Sequence, residues 1–171
     1  ATKSKGPAGL DGRSFLTLLK GQTQDGRSHV FTPIDSKAGN AAVPMRCVQN
    51  AHFGYIYNPF SDGKYWYRNN NEGLTMAAMK KAAETDAAIK ARVDLFRYRV
   101  PEELYDLKND PHEITNLASK PIFANRKKEL RVELEEWMQA HKDPFHTFKN
   151  TPLKKDEWKK IQKGSKRRKK R

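Results

Sequence analysis

The stretch that decides the fold is Pro101-Glu-Glu-Leu-Tyr-Asp-Leu-Lys-Asn-Asp-Pro-His-Glu-Ile-Thr-Asn-Leu-Ala118. Its first part, residues 103–107, predicts a short strand. In its second part Asp110 can cap a helix, Pro111 suits the first helical position, and Glu113 is spaced to reach back to the cap. We therefore interpret the stretch as a strand, a capped turn and the start of a helix, and we favour this structural role over direct chemistry by its side chains.

Downstream of this stretch, residues 122–141 show the clearest helical periodicity in the chain. Apolar side chains recur at three- and four-residue steps along one side, while glutamates occupy the other side. The apolar stripe consists of Phe123, Leu130, Leu134, Trp137, Met138 and His141. A helix with such a stripe is suited to cover the apolar face of a sheet.

Upstream of the quoted stretch, the pattern changes to short strands and one further helix. Strands are predicted at residues 29–34, 45–49 and 52–57, with a hairpin turn between the last two. Residues 74–97 are rich in Ala, Met and Lys, which are good helix formers, and they predict a single helix. These strands, together with the one at residues 103–107, are the elements that the last helix would cover.

The net charge of +14 on the 171 residues is unevenly distributed. Residues 150–171 contain 11 Lys or Arg and two acidic residues, a surplus of 9 that leaves +5 for the other 149 residues. Such a basic block binds nucleic acid, anionic lipid or acidic polysaccharide in some proteins. Because no aromatic platform accompanies it, we favour a disordered, solvated tail. No apolar run of membrane-spanning length occurs, so no membrane span is predicted.

The residues alone identify no catalytic or metal-binding site. The single cysteine, Cys47, lies in a predicted strand, and we expect a buried thiol rather than a nucleophile. One cysteine also excludes an internal disulfide and a Cys-rich metal site. The five histidines show no metal-ligand spacing, and there is no Gly-rich phosphate loop.

Three segments, taken in order, resemble the C-terminal part of the sulfatase family. Residues 9–21 resemble the segment that joins the large catalytic domain to the smaller one, residues 44–57 its paired strands, and residues 103–118 its signature before the final helix. Together the resemblance covers about residues 7–148. Within the family, Pro44-Met-Arg46 and the segment from Trp137 to His141-Lys-Asp-Pro144 are most similar to sulfamidases, the heparan N-sulfatases.

The resemblance implies an α+β fold in which a four-stranded antiparallel sheet packs against the long C-terminal helix. It also divides the chain into three parts. Residues 1–21 are a linker and short helix next to a catalytic domain, residues 22–148 are the sulfatase C-terminal subdomain, and residues 149–171 are the basic tail. The N-terminal catalytic domain is expected to lie outside this chain.

The chain by itself is expected to be inactive. The resemblance implies a formylglycine and a calcium ion in the missing catalytic domain, where sulfate esters or sulfamates, carried on sulfated glycans, would be hydrolysed. Formylglycine arises from the motif Cys/Ser-x-Pro/Ala-x-Arg, and around Cys47 this motif fails at Gln49 and at Ala51. We therefore expect no catalytic residue, cofactor or metal ion in this chain.

The rim of the substrate site is the one place where the resemblance implies a contribution from this chain. The candidates are Lys37 and Asn40 in the loop of residues 35–40, and Arg46 beyond it. Lys37 could contact an anionic sugar. Arg46 could pair with a carboxylate of the catalytic domain, and we favour this tethering role over substrate contact.

The expected partners are the catalytic domain and a sulfated sugar. Nucleic acid is disfavoured as a partner, and the question of a homo-oligomer stays open. The compartment would be periplasmic, secreted or lysosomal if the parent is a typical sulfatase, although no signal peptide is visible at the start of the sequence. The alternative function is a basic, non-enzymatic module that binds nucleic acid or anionic polysaccharide through its tail.

If the alternative function holds, deleting residues 150–171 is expected to abolish retention of the protein on immobilised double-stranded DNA at moderate salt, because the net charge falls from +14 to +5. The measurement compares the salt concentrations at which the full and shortened chains elute. DNA retention that survives the deletion would contradict the prediction and assign the binding to the folded part. A heparin column run in parallel tests an acidic polysaccharide separately.

Overall fold

The structure is a computed structural model that describes residues 12, 14–23, 25–26, 28–36, 42–68, 73–148 and 160. Its elements are α1 (Leu16–Leu19), β1 (Val30–Ser36), β2 (Ala42–Gln49), β3 (Phe53–Tyr57), α2 (Leu74–Ala82), α3 (Ala87–Tyr98), β4 (Glu102–Asp106), a 3-10 turn (Pro121–Phe123) and α4 (Ala124–Ala140). None of the described helices combines the length and apolar character that a membrane span requires. The predicted basic tail lies outside the described residues except for Lys160, and the predicted domain boundaries stay predictions.

The four strands form one antiparallel sheet in the order β1-β2-β3-β4. Val48 on β2 lies opposite Tyr55 on β3, and Tyr55 lies opposite Leu104 on β4. All three side chains are fully buried. Because residues directly opposite one another point to the same side of a sheet, they form the apolar centre of one face. The predicted α+β fold with a four-stranded antiparallel sheet is confirmed.

The apolar stripe of α4 packs against this face of the sheet. Three residues of the stripe are almost completely buried: Leu130, Leu134 and Met138. At the β1 side, the ring of Phe31 stacks on the ring of Trp137 with centroids 5.3 Å apart. The last residue of the predicted stripe, His141, is exposed and stacks on Trp137 at 4.5 Å instead of entering the core.

The predicted helix over residues 74–97 is two helices. α2 ends at Ala82, and α3 begins at Ala87 after a turn. The carboxylate of Asp86 accepts hydrogen bonds from the backbone N–H groups of Ala88 at 2.8 Å and Ile89 at 3.0 Å. Asp86 is therefore the N-cap of α3, and its preference for that position is the signal that marks the break.

The predicted helix start at Asp110 is wrong. Residues 107–120 contain turns but no α-helix. The carboxylate of Asp110 accepts a hydrogen bond from the N–H of Thr115 at 2.7 Å, and Glu113 adopts a left-handed φ of 52°. The side chain of Asp110 therefore stabilises a turn, since an Asp can bond a turn backbone as readily as a helix N-terminus.

This turn closes the outer edge of β4. The N–H of Leu104 donates to the side-chain carbonyl of Asn116 at 3.0 Å, and the N–H of Leu117 donates to the carbonyl of Leu104 at 2.8 Å. The amide of Asn116 also donates to the carbonyl of Glu102 at 3.3 Å. Backbone groups that would be open on an edge strand are satisfied from within the chain.

Leu134→Ala is expected to lower the free energy of unfolding by about 2–5 kcal/mol, because it opens a cavity between α4 and the sheet. Val132→Ala is the matched control, since Val132 is on the same helix but exposed. The control is expected to cost about 0.5 kcal/mol or less. Urea denaturation measures both, and equal losses would contradict the packing of α4 on the sheet.

Candidate functional site

Arg46 on β2 is the predicted rim residue that the structure describes, and it is only 2% exposed. Its Nε donates to Oδ2 of Asp143 at 2.7 Å, and its Nη2 donates to Oδ1 of Asp35 at 2.6 Å. Its Nη1 donates to the backbone carbonyls of Ile34 at 2.7 Å and Met45 at 2.9 Å. Two carboxylates and two carbonyls of its own chain therefore surround the guanidinium.

The Arg46 network joins the end of β1, the middle of β2 and the turn that follows α4. The Asp143 side chain is 9% exposed and that of Asp35 61%, so the pair with Asp143 is the buried one. Asp143 Oδ1 also accepts from the N–H of Phe145 at 2.9 Å, and the Phe145 ring centroid lies 5.1 Å from Cζ of Arg46. A buried ion pair is tolerated only when further hydrogen bonds offset its desolvation, and this pair has them.

The other two predicted rim residues, Lys37 and Asn40, lie outside the described residues. They belong to the connection between β1 and β2, which begins two residues after Asp35. The partner that we expected for Arg46 was a carboxylate of a catalytic domain, and here Asp143 and Asp35 supply that charge. No sequence pattern pointed to Asp143 as the partner of Arg46, because the two residues lie 97 positions apart in the chain.

A second buried polar cluster surrounds Glu103 on β4, which is completely buried. Its carboxylate accepts hydrogen bonds from Asn58 Nδ2 and Tyr105 Oη, both at 2.7 Å, and from Arg99 Nη1 at 3.3–3.4 Å. Burial and the neighbouring charge of Glu103 raise the pKa of Tyr105, which keeps its hydroxyl protonated as a donor. These contacts lock the carboxylate in place, so we interpret the cluster as structural.

Cys47 on β2 is partly buried. Burial raises the pKa of its thiol to about 11, and the charges of Glu113 and Glu103 act in the same direction. A thiol with that pKa is almost entirely protonated at neutral pH and is a poor nucleophile. This agrees with the expectation of an unreactive thiol.

Metal binding has no evident site in the part of the chain that the structure describes. No group of three or more His, Cys, Asp or Glu side chains there could hold a metal ion. The contacts that the structure shows around Arg46 are ion pairs and hydrogen bonds.

Arg46→Met is expected to lower the free energy of unfolding by about 3–5 kcal/mol, because it leaves the buried carboxylate of Asp143 without its cation. Arg126→Met is the control, since Arg126 pairs with Glu129 at 2.8 Å on the exposed surface of α4. That change is expected to cost about 1 kcal/mol or less. Urea denaturation of both variants is the measurement, and a similar loss in each would show that the Arg46 pair is unimportant.

Known proteins resemble this chain in sequence and in fold. No family model matches the chain. An ulvan-active sulfatase of Formosa agariphila is 32% identical over 77% of this chain, and the N-sulphoglucosamine sulphohydrolase of Homo sapiens is 31% identical over 80% of it. The chain spans about a quarter of the length of these relatives, 22% of the first and 27% of the second.

Among solved structures, a 2-O GAG sulfatase superposes on 84% of this chain with a TM-score of 0.53, at 22% sequence identity. The superposition covers 23% of that protein and shows that the two share this part of their fold. The curated relatives add sequence similarity over about four-fifths of this chain. The chain therefore belongs to the sulfatase family, as a sulfamidase-like C-terminal subdomain.

Proposed function

We propose that this subdomain completes an enzyme that hydrolyses sulfate groups carried on a glycan, and that it is inactive by itself. The observation that carries the proposal is the similarity, over about four-fifths of the chain, to two proteins named as an ulvan-active sulfatase and an N-sulphoglucosamine sulphohydrolase. Both names join a sulfatase activity to a saccharide.

The proposed division of labour leaves the reaction to a catalytic domain. The family resemblance assigns a formylglycine and a calcium ion to that domain. The described residues of this chain fit neither group, because Cys47 lacks the surrounding motif and no described cluster could hold a metal ion. The proposed roles of this chain are therefore docking to the catalytic domain and support of the substrate rim.

The proposed docking element is α1 with the residue before it. Its apolar side chains are exposed: Phe15, Leu16, Leu18 and Leu19. A helix of four residues is too short to be stable by its own hydrogen bonds, so it needs a partner surface. Exposed apolar side chains grouped in this way are typical of an interaction site. We assign α1 to the contact with the catalytic domain, which agrees with the resemblance of residues 9–21 to the interdomain segment.

The proposed substrate rim is the β1–β2 connection, with Lys37 and Asn40 as the residues that would contact a sulfated sugar. Arg46 is buried and its guanidinium is surrounded by acceptors. It bonds to Asp35 and to the carbonyl of Ile34 just before the connection, and it lies on the strand that follows. Arg46 is therefore proposed as a positioning residue that holds the base of this connection, not as a ligand of sulfate.

The experiment that tests the proposal is a chimaera in which this chain replaces the matching quarter of the Formosa agariphila sulfatase. The chimaera is expected to hydrolyse the sulfate of that enzyme's substrate, and the isolated 171-residue chain is expected to show no turnover of an aryl sulfate. Turnover by the isolated chain would contradict its proposed inactivity. A soluble, folded chimaera without activity would contradict its role as the matching subdomain.

Leu19→Asp in the chimaera tests the docking surface. The change is expected to lower activity per soluble protein about ten- to a hundredfold, because an apolar side chain buried at an interface contributes about 1.5–3 kcal/mol. Leu74→Asp is the matched control, since Leu74 on α2 is 91% exposed and has no proposed partner. Equal activities of the two variants would exclude α1 as the docking element.

A further inference from the structure

An exposed tryptophan holds two arginines together on the surface near the end of α3. Trp66 is 42% exposed. Cζ of Arg68 lies 4.7 Å from the centroid of the Trp66 ring, and Cζ of Arg97 lies 5.9 Å from it. Both distances allow cation–π contacts, so one ring positions two guanidinium groups.

Tyr67, which lies between Trp66 and Arg68 in the chain, connects this cluster to the core. Tyr67 is fully buried, and its Oη accepts a hydrogen bond from the N–H of Phe60 at 3.0 Å. Its neighbours on either side, Trp66 and Arg68, are both exposed. The N–H of Tyr67 donates to the carbonyl of Arg97 at 2.7 Å, which ties the last turn of α3 beside them. The backbone next to the cluster is thus attached to the core at Tyr67 and to the last turn of α3.

The cluster lacks a counter-charge within the described part of the chain. No described carboxylate forms an ion pair with Arg68 or Arg97, and Nε of Arg97 is buried without an acceptor. The acidic residue one turn earlier on α3, Asp94, is paired with Lys90 at 2.6 Å. Two guanidinium groups held at one ring repel each other, and a bound anion would relieve that repulsion.

We propose that Trp66, Arg68 and Arg97 bind an acidic saccharide. The guanidinium groups bind its sulfate or carboxylate, whose oxygens match the planar fork of arginine donors. The exposed part of the Trp66 ring offers an apolar surface to the sugar ring beside that anion. The inference that these residues bind an anion is based on the geometry alone, whereas the choice of a saccharide as the ligand rests on the proposed function.

The test uses the full 171-residue chain and a heparin-derived sulfated tetrasaccharide. The chain contains three tryptophans, so the indole N–H signal of Trp66 can be assigned in a ¹H–¹⁵N spectrum with a Trp66→Phe variant. Titration is expected to shift the Trp66 signal and so to report affinity at this position, whatever the basic tail binds. Arg68→Gln and Arg97→Gln are each expected to weaken that affinity about tenfold.

Arg126→Gln is the matched control, because it removes the same charge from another exposed arginine and leaves the tail unchanged. It is expected to change the affinity less than about twofold. No shift of the Trp66 signal, or an equal loss with Arg126→Gln, would overturn the proposal. Equal binding of the unsulfated tetrasaccharide would contradict recognition of an anion. Equal binding of inorganic sulfate or a single-stranded oligonucleotide would contradict recognition of a saccharide.

The binding experiment needs no catalytic domain, so its result is separate from that of the chimaera. An active chimaera together with an unresponsive Trp66 signal would overturn this inference and leave the proposed function in place. A responsive Trp66 signal together with an inactive chimaera would overturn the proposed function and leave this inference in place.

Discussion

The packing of α4 across one face of the sheet is the interaction on which the remaining structure depends. A four-stranded sheet with an uncovered apolar face is not stable in water, and Leu130, Leu134 and Met138 remove that face from solvent. The turn that follows the helix is then carried to the middle of β2, where Asp143 meets Arg46. The polar network therefore depends on the position of the helix.

The two buried charge clusters differ in what they connect. Arg46 links β1, β2 and the turn after α4, with partners up to 97 residues away in the chain, whereas Glu103 joins β4 to the residue after β3, 45 residues away. The Arg46 cluster therefore restrains the chain next to the β1–β2 connection, while the Glu103 cluster restrains β3 and β4. This difference explains why Arg46, and not Glu103, is suited to hold the base of the β1–β2 connection.

Local patterns in the sequence were sufficient for the strands and for the long helix, because alternation and helical periodicity depend on neighbouring residues. They failed at Asp110, since an Asp-Pro step suits a turn as well as a helix start. They also could not pair Arg46 with Asp143, because nothing local connects residues so far apart. Glu103 gave no sign of burial, as a glutamate on a short strand is usually exposed. The rim residues Lys37 and Asn40 stay predictions from the family resemblance.

Asn116 gives the sheet two unlike edges. Along β4 its side chain hydrogen-bonds to the N–H of Leu104 and to the carbonyl of Glu102, two groups that a fifth strand would otherwise use. Among the described residues, β1 pairs with β2 alone. Pro33 on β1 has no backbone N–H that could bond to an added strand. Growth of the sheet by strand addition is thus blocked on one side and weakened on the other, which protects a subdomain of this size from edge-to-edge aggregation.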